Sequence, residues 1–116
     1  MKNIDMTEIY HICKLTMECI VSGNYEPLRK ENALTRVSES DIKRVLAEYN
    51  PGEAPVMPPA GYFEKAPYFN TYTDGSGCHV GINLWYGSGE RDLTLQLDIR
   101  KRDNKLKFII DDLHVL

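Results

Sequence analysis

A chain of 116 residues, 42% hydrophobic and 27% charged, has the length for one domain with one core, burying about two thirds of the surface its unfolded form exposes. Its 14 Lys and Arg against 17 Asp and Glu leave a formal charge of −3, which argues against nonspecific nucleic-acid binding and allows a basic protein partner. Cys13, Cys19 and Cys78 cannot all pair within the chain, and neither a secretion signal nor an apolar run of about 20 residues is visible, so a reduced, cytoplasmic protein without membrane contact is expected.

Asp5-Met6-Thr7-Glu8 has the form of a capping box, with Ile4 and Ile9 spaced as a hydrophobic staple. Ile9, Ile12, Cys13, Thr16, Cys19 and Ile20 follow at spacings of three and four, and Gly23-Asn24 is a stop, which predicts an amphipathic helix. Tyr25 and Leu28 suit a short turn, whereas Arg29-Lys30-Glu31-Asn32 reads as a solvated, mobile run. A second helix is predicted from Ser38, with Asp41 as its capping partner and Ile42, Val45, Leu46 and Tyr49 as its buried stripe, ended by Pro51-Gly52.

Prolines at 51, 55, 58, 59 and 67 make the next stretch an irregular connector, not a domain boundary, since neither flank holds a core alone. Gly61-Tyr62-Phe63 suits one helical turn. Tyr68 to Tyr72 is predicted as a short edge strand, closed by the turn Asp74-Gly75-Ser76-Gly77. Beyond it, alternation sets Val80, Ile82, Leu84 and Tyr86 against His79, Gly81, Asn83 and Trp85, and then Leu93, Leu95, Leu97 and Ile99 against Asp92, Thr94, Gln96, Asp98 and Arg100. A four- or five-residue loop around Gly87-Ser88-Gly89-Glu90 joins these strands, and Arg102-Asp103-Asn104-Lys105 turns into a last one. There Leu106, Phe108 and Ile110 are out of phase with Leu113 and Val115. One extra residue at Asp111-Asp112, a β-bulge, would return all five to the core and bend the sheet. The expected fold is α+β: two N-terminal helices on a curved four-stranded antiparallel sheet, an architecture that resembles the NTF2-like and cystatin-like cones and by itself names no function.

The side of the sheet turned from the core is the best functional lead. Trp85, with His79 and Asn83 beside it, is either an interface anchor or a lid under the proline-rich connector. Tyr68, Tyr72 and Asp74 extend the same patch, and Glu90, Asp92, Asp98, Asp111 and Asp112 supply carboxylates. Asp111, Asp112 and His114 also suggest acid–base work or a metal, but alternation favours solvated acids on a bulged strand, paired with Arg91 or Arg100. Cys78 and His79, as strand neighbours, face opposite sides and make no nucleophile–base pair, and His11 with Cys13 lacks the spacing of a zinc site. The glycine-rich loop leads into a strand, unlike phosphate cradles, which lead into a helix. Arg91 beside Asp92 reads as a structural ion pair.

Leu84-Trp85, Gly89-Glu90-Arg91-Asp92-Leu93-Thr94-Leu95 and Ile110-Asp111-Asp112-Leu113-His114-Val115-Leu116 resemble a family of small bacterial stand-alone domains of unknown function. That family carries a "dLW…EGrSDLTL…" hairpin before a terminal "IeDIHVL". Here Glu and Gly are exchanged in order and no Ser precedes Asp92. The resemblance implies no catalytic residue. In type, though by no motif, the chain is similar to immunity proteins of contact-dependent inhibition systems. The expected function is accordingly a non-enzymatic protein-binding domain without cofactor or metal, monomeric or weakly dimeric, that neutralises a basic nuclease toxin. The alternative is a small-ligand or acid–base site in a pocket lined by Tyr49, Phe63 and Tyr86, using Asp112 or His114.

Overall fold

The computed structural model describes residues 6–65 and 68–115. The cap and staple expected at Asp5 and Ile4, together with Pro67, the side chain of Tyr68 and Leu116, lie outside the described residues. Helix α1 (Met6–Ser22) buries Ile9, Ile12, Cys13, Thr16, Cys19 and Ile20 as their spacing requires, with Met17 added. It ends at Gly23, whose φ of +79° is the left-handed stop that glycine allows.

The polar run after α1 is exposed as expected, but part of it is helical. Pro27 in the first turn and the burial of Tyr25 and Leu28 build a short helix α2 (Glu26–Lys30). Its Arg29 pairs with Glu26 at 3.0 Å and with Glu39 of the next helix. Helix α3 (Glu39–Tyr49) starts on the expected capping box: Ser38 accepts from the Asp41 amide, and the Asp41 carboxylate accepts from the Ser38 amide, both at 3.1 Å. Only Ile42 of its stripe is fully buried; Val45, Leu46 and Tyr49 sit half-buried at the core's rim. The connector makes one more short helix, α4 (Tyr62–Lys65), where Tyr62 and Phe63 are buried.

Four antiparallel strands follow in sequence order: β1 (Tyr68–Thr71), β2 (Gly77–Tyr86), β3 (Gly89–Arg102) and β4 (Lys105–Val115). Gly77 is where the first turn meets the sheet, since a Cβ there would stand 1.9 Å from the Ile99 carbonyl oxygen. The β2–β3 turn is tighter than expected: Tyr86 pairs with Gly89, leaving Gly87-Ser88 as the loop. The β3–β4 turn is the two-residue Asp103-Asn104 at φ 52° and 66°, the left-handed pair of a type I′ hairpin.

Two irregularities bend this open sheet. Between Asn83↔Thr94 and Trp85↔Glu90, three residues of β3 oppose Leu84 alone. Between Gln96↔Asp112 and Leu97↔Ile110, Asp111 is the extra residue, the bulge demanded by the apolar phase. It brings Phe108, Ile110 and Leu113 into the core, but Leu106 stays half-buried and Val115, last in an edge strand, is 50% exposed. Val80, Ile82, Leu84, Tyr86, Leu93, Leu95, Leu97 and Ile99 complete the sheet's share of one core with the helices.

Candidate functional site

Residues directly opposite in an antiparallel pair share a face, so the register fixes which candidates meet. At one end, Tyr72, Asp74 and Asp98 come together. The Tyr72 hydroxyl donates to Asp98 Oδ1 at 2.7 Å, and Arg100 Nε donates to the same oxygen at 3.0 Å. The Arg100 guanidinium lies 4.5 Å from the Tyr72 ring centroid and also reaches the Ser76 hydroxyl at 3.2 Å. Burial first, then the neighbouring Asp98 carboxylate, pushes the Tyr72 phenol up to about 12. Asp74 accepts from the Ser76 amide at 2.9 Å, and the bonds from Ser76 hold its carboxyl below the usual range.

In the middle, His79 Nε2 stands 3.8 Å from Asp111, and Arg36 donates to that carboxylate at 2.6 Å. The bulge aims Asp111 at Arg36, so its partner is neither Arg91 nor Arg100. Asp112 is exposed and 3.0 Å from His114 Nδ1, and its Oδ1 accepts from the Leu113 amide.

At the far end Asn83 is the hub. Its amide nitrogen Nδ2 donates to Glu90 Oε2 at 2.9 Å, its Oδ1 accepts from Thr94 Oγ1 at 2.8 Å, and its main-chain N–H donates to the Tyr62 hydroxyl at 2.8 Å. Tyr62 also reaches Glu90 at 3.4 Å, and burial raises its phenol pKa. Thr94 is fully buried beneath this network.

Trp85 is covered by the connector. Its ring meets Tyr62 edge-on at 5.6 Å, its carbonyl accepts from the Val56 amide at 2.8 Å, and its indole N–H is buried with no acceptor among the described residues. Five prolines did not keep the connector off the sheet, because one short bridge from Val56 suffices to seat it on the edge β1 leaves free.

Asp92 departs furthest from expectation. The irregularity opposite Leu84 breaks the alternation, and the Asp92 carboxylate accepts from the Tyr49 hydroxyl of α3 at 2.6 Å, where sheet and helices meet. That bond is the first cause of Tyr49's raised pKa. Arg91 does not pair with Asp92. Its guanidinium lies 5.7 and 5.8 Å from the Tyr49 and Tyr86 ring centroids and donates to Ser88.

Nine of the ten candidates thus lie in clusters on one side of the sheet, and Asp92 stands apart. Sequence reasoning missed the roles of Arg36 and Tyr62, which lie far along the chain from what they hold, and that of Ser76, which holds nearby Asp74 and also reaches distant Arg100. It also missed five cations in the eight positions from Arg100 to Lys107, a run that is visible in the sequence.

Elsewhere, Cys13 and Cys78 are buried, and burial pushes their thiols up to about 12 and about 11, which disfavours the nucleophilic thiolate. His79, on the other side of the strand, does not approach Cys78. Among the described residues no three His, Cys, Asp or Glu side chains gather as metal ligands. Grooves of about 530, 400, 300 and 150 Å³ open among the described residues, and Tyr49, Phe63 and Tyr86 line none of these. Tyr86 and Phe63 are instead buried core, with the Tyr49 ring 6.0 Å from that of Tyr86. Among the described residues no helix is long and apolar enough to cross a membrane.

No curated protein and no solved structure matches the chain. A family profile covers residues 17–116, including both strand hairpins and the terminal Ile110–Leu116 stretch. The chain belongs to the family described as Domain of unknown function (DUF7668).

Proposed function

We propose that this chain is a non-enzymatic protein-binding domain, an immunity protein of the cytoplasm that binds and neutralises a nuclease-like toxin through the solvent-facing side of its sheet. The observation that carries this is how Glu90 is held: the Asn83 amide and the Tyr62 hydroxyl fix its carboxylate. Neutral donors orient an acid without cancelling its charge, so Glu90 presents a negative group already ordered, which lowers the entropy lost on binding. Exposed Asp112 adds a second, beside His114. Asp98 and Asp111 sit against Arg100 and Arg36 and contribute less net charge.

Such carboxylates stand in for substrate phosphates against the toxin's Lys, Arg or His groups, and electrostatic complementarity speeds the encounter. The surrounding side chains His79, Gln96 and Ile109, each only partly buried, supply the contact area. The test is to read the gene immediately upstream and, where it encodes a large secreted protein with a variable C-terminal domain, to measure binding to that domain. Calorimetry should give a nanomolar Kd, and co-expression should restore growth to cells making that domain. A missing complex, or a complex without rescue, contradicts this function.

A further inference from the structure

The β3–β4 hairpin carries the chain's densest positive charge, at the turn end of the same sheet face that holds the acidic clusters. Lys101, Arg102, Lys105 and Lys107 are exposed and enter no ion pair among the described residues, and only Arg100 is paired, with Asp98. Register places Arg100, Arg102, Lys105 and Lys107 on one face, the face of Ile109, and Leu106 and Phe108 on the other.

This hairpin borders a sheet edge with main-chain groups to spare. Arg102 and Lys105 close a two-residue turn and so form the hydrogen-bonded pair, which makes Leu106, Phe108 and Ile110 turn their N–H and C=O groups away from β3. Ile110 shows that direction, since its N–H donates to the Ala33 carbonyl at 2.9 Å. Leu106 and Phe108 have no such main-chain acceptor among the described residues. Beside them lies a groove of about 530 Å³, whose lining includes Asn32, Arg102, Lys107, Phe108 and Ile109. Glu31 and Asp98 are the acids in that lining, and Asp98 is paired with Arg100.

We propose that this edge and groove dock an extended acidic segment of a protein partner, which adds to β4 as a fifth strand. Side chains alternate along a strand, so the segment that fits is itself alternating: carboxylates beside Lys105 and Lys107, apolar groups beside Leu106 and Phe108. Lysines on an edge strand also deter self-association, and here they exclude a second copy of this chain, whose edge would bring the same cations face to face. A nucleic acid would use the charges but neither the free main-chain groups nor the apolar row. The site adjoins the toxin-binding face proposed above and shares Ile109 with it, and the hairpin variants below test it separately.

The experiment is fluorescence anisotropy on the full chain with a labelled seven-residue peptide alternating glutamate and valine. Three competitors accompany it: the same residues in two blocks, an alternating lysine–valine peptide, and a single-stranded oligonucleotide of matched charge. The alternating acidic peptide should bind at least tenfold more tightly than each of these and weaken with salt. K105E/K107E, substitutions at exposed positions whose folding circular dichroism verifies, should lose binding at least tenfold. N-methylating alternate peptide amides should cost a similar factor in one register and little in the other. Equal binding of the block peptide or the oligonucleotide, or a K105E/K107E variant that binds unchanged, would overturn the proposal. So would methylation without effect in both registers.

Discussion

The contact between Tyr72 and Asp98 ties β1 to β3 across β2 and can be measured in isolation. The Tyr72 hydroxyl donates to Asp98 at 2.7 Å, and the Asp98 side chain is only 20% exposed. A hydrogen bond to a charged acceptor contributes about 1.5–3 kcal/mol, and access of water to this face reduces the expected coupling to about 1–2 kcal/mol. A double-mutant cycle of Tyr72→Phe and Asp98→Asn, read by urea denaturation at neutral pH, measures it directly. The phenol's elevation gives a second handle. Its folded pKa of about 12 exceeds an unfolded value of about 10, so its contribution is whole below pH ~10 and is lost as pH rises towards and through 12. Two units correspond to at most about 2.7 kcal/mol, and solvent screening brings this to about 1–2 kcal/mol. Wild type should therefore lose stability relative to Tyr72→Phe between pH 10 and 12, while Tyr25, also pushed to about 12, cancels in the difference. A coupling below about 0.3 kcal/mol, or ultraviolet titration placing Tyr72 near 10, refutes the geometry.

Ser38→Ala removes the α3 cap and should cost about 1 kcal/mol, lowering Tm by roughly 4 °C, as a thermal melt would show. The lowered carboxyl pKa of Asp41, held by the Ser38 amide and hydroxyl, adds stability that is present above its unfolded pKa and lost as pH falls through the folded value, so the Ser38→Ala deficit should shrink in acid. Deleting Asp111 removes the bulge yet leaves Ile110 and Leu113 in phase, so the variant should melt cooperatively. Deleting Ile109 forces Phe108 or Ile110 out of the core and should cost roughly 3 kcal/mol or more by the same assay. Cys13 and Cys78 should resist alkylation at pH 8 in the native protein and react once it is unfolded in urea, and rapid native labelling would contradict their burial.

The core was legible because its pattern is local. Period-two alternation alone identifies Leu93 to Ile99, and the phase break at Asp111-Asp112 demands the bulge that the register contains. The capping pair Ser38 and Asp41 lies three residues apart, within reach of any reading of the chain. What failed was set by contacts between distant segments. Arg36 reaches Asp111 across 75 positions, and Tyr49 reaches Asp92 across 43, pairings that no local spacing encodes. Trp85 illustrates the limit well: alternation gave its side of the strand correctly, but whether that side is covered depends on Tyr62 and Val56 folding back from the connector. The run at Arg29 to Asn32 is exposed as it reads, and its helical part was not foreseen because only two anchors, Tyr25 and Leu28, mark it, although both are buried almost completely.

The most direct measurement of the central claim is the affinity of surface variants for the toxin domain proposed as partner, by calorimetry. Gln96→Arg and Asp112→Lys place bulk and positive charge on the solvent-facing side of the sheet, whereas Glu48→Lys alters the exposed face of α3. The first two should weaken binding at least 100-fold, about 2.7 kcal/mol, and the third should leave it within about twofold. Full affinity in the sheet variants, or its loss in Glu48→Lys alone, would show that the partner is met by the helices instead.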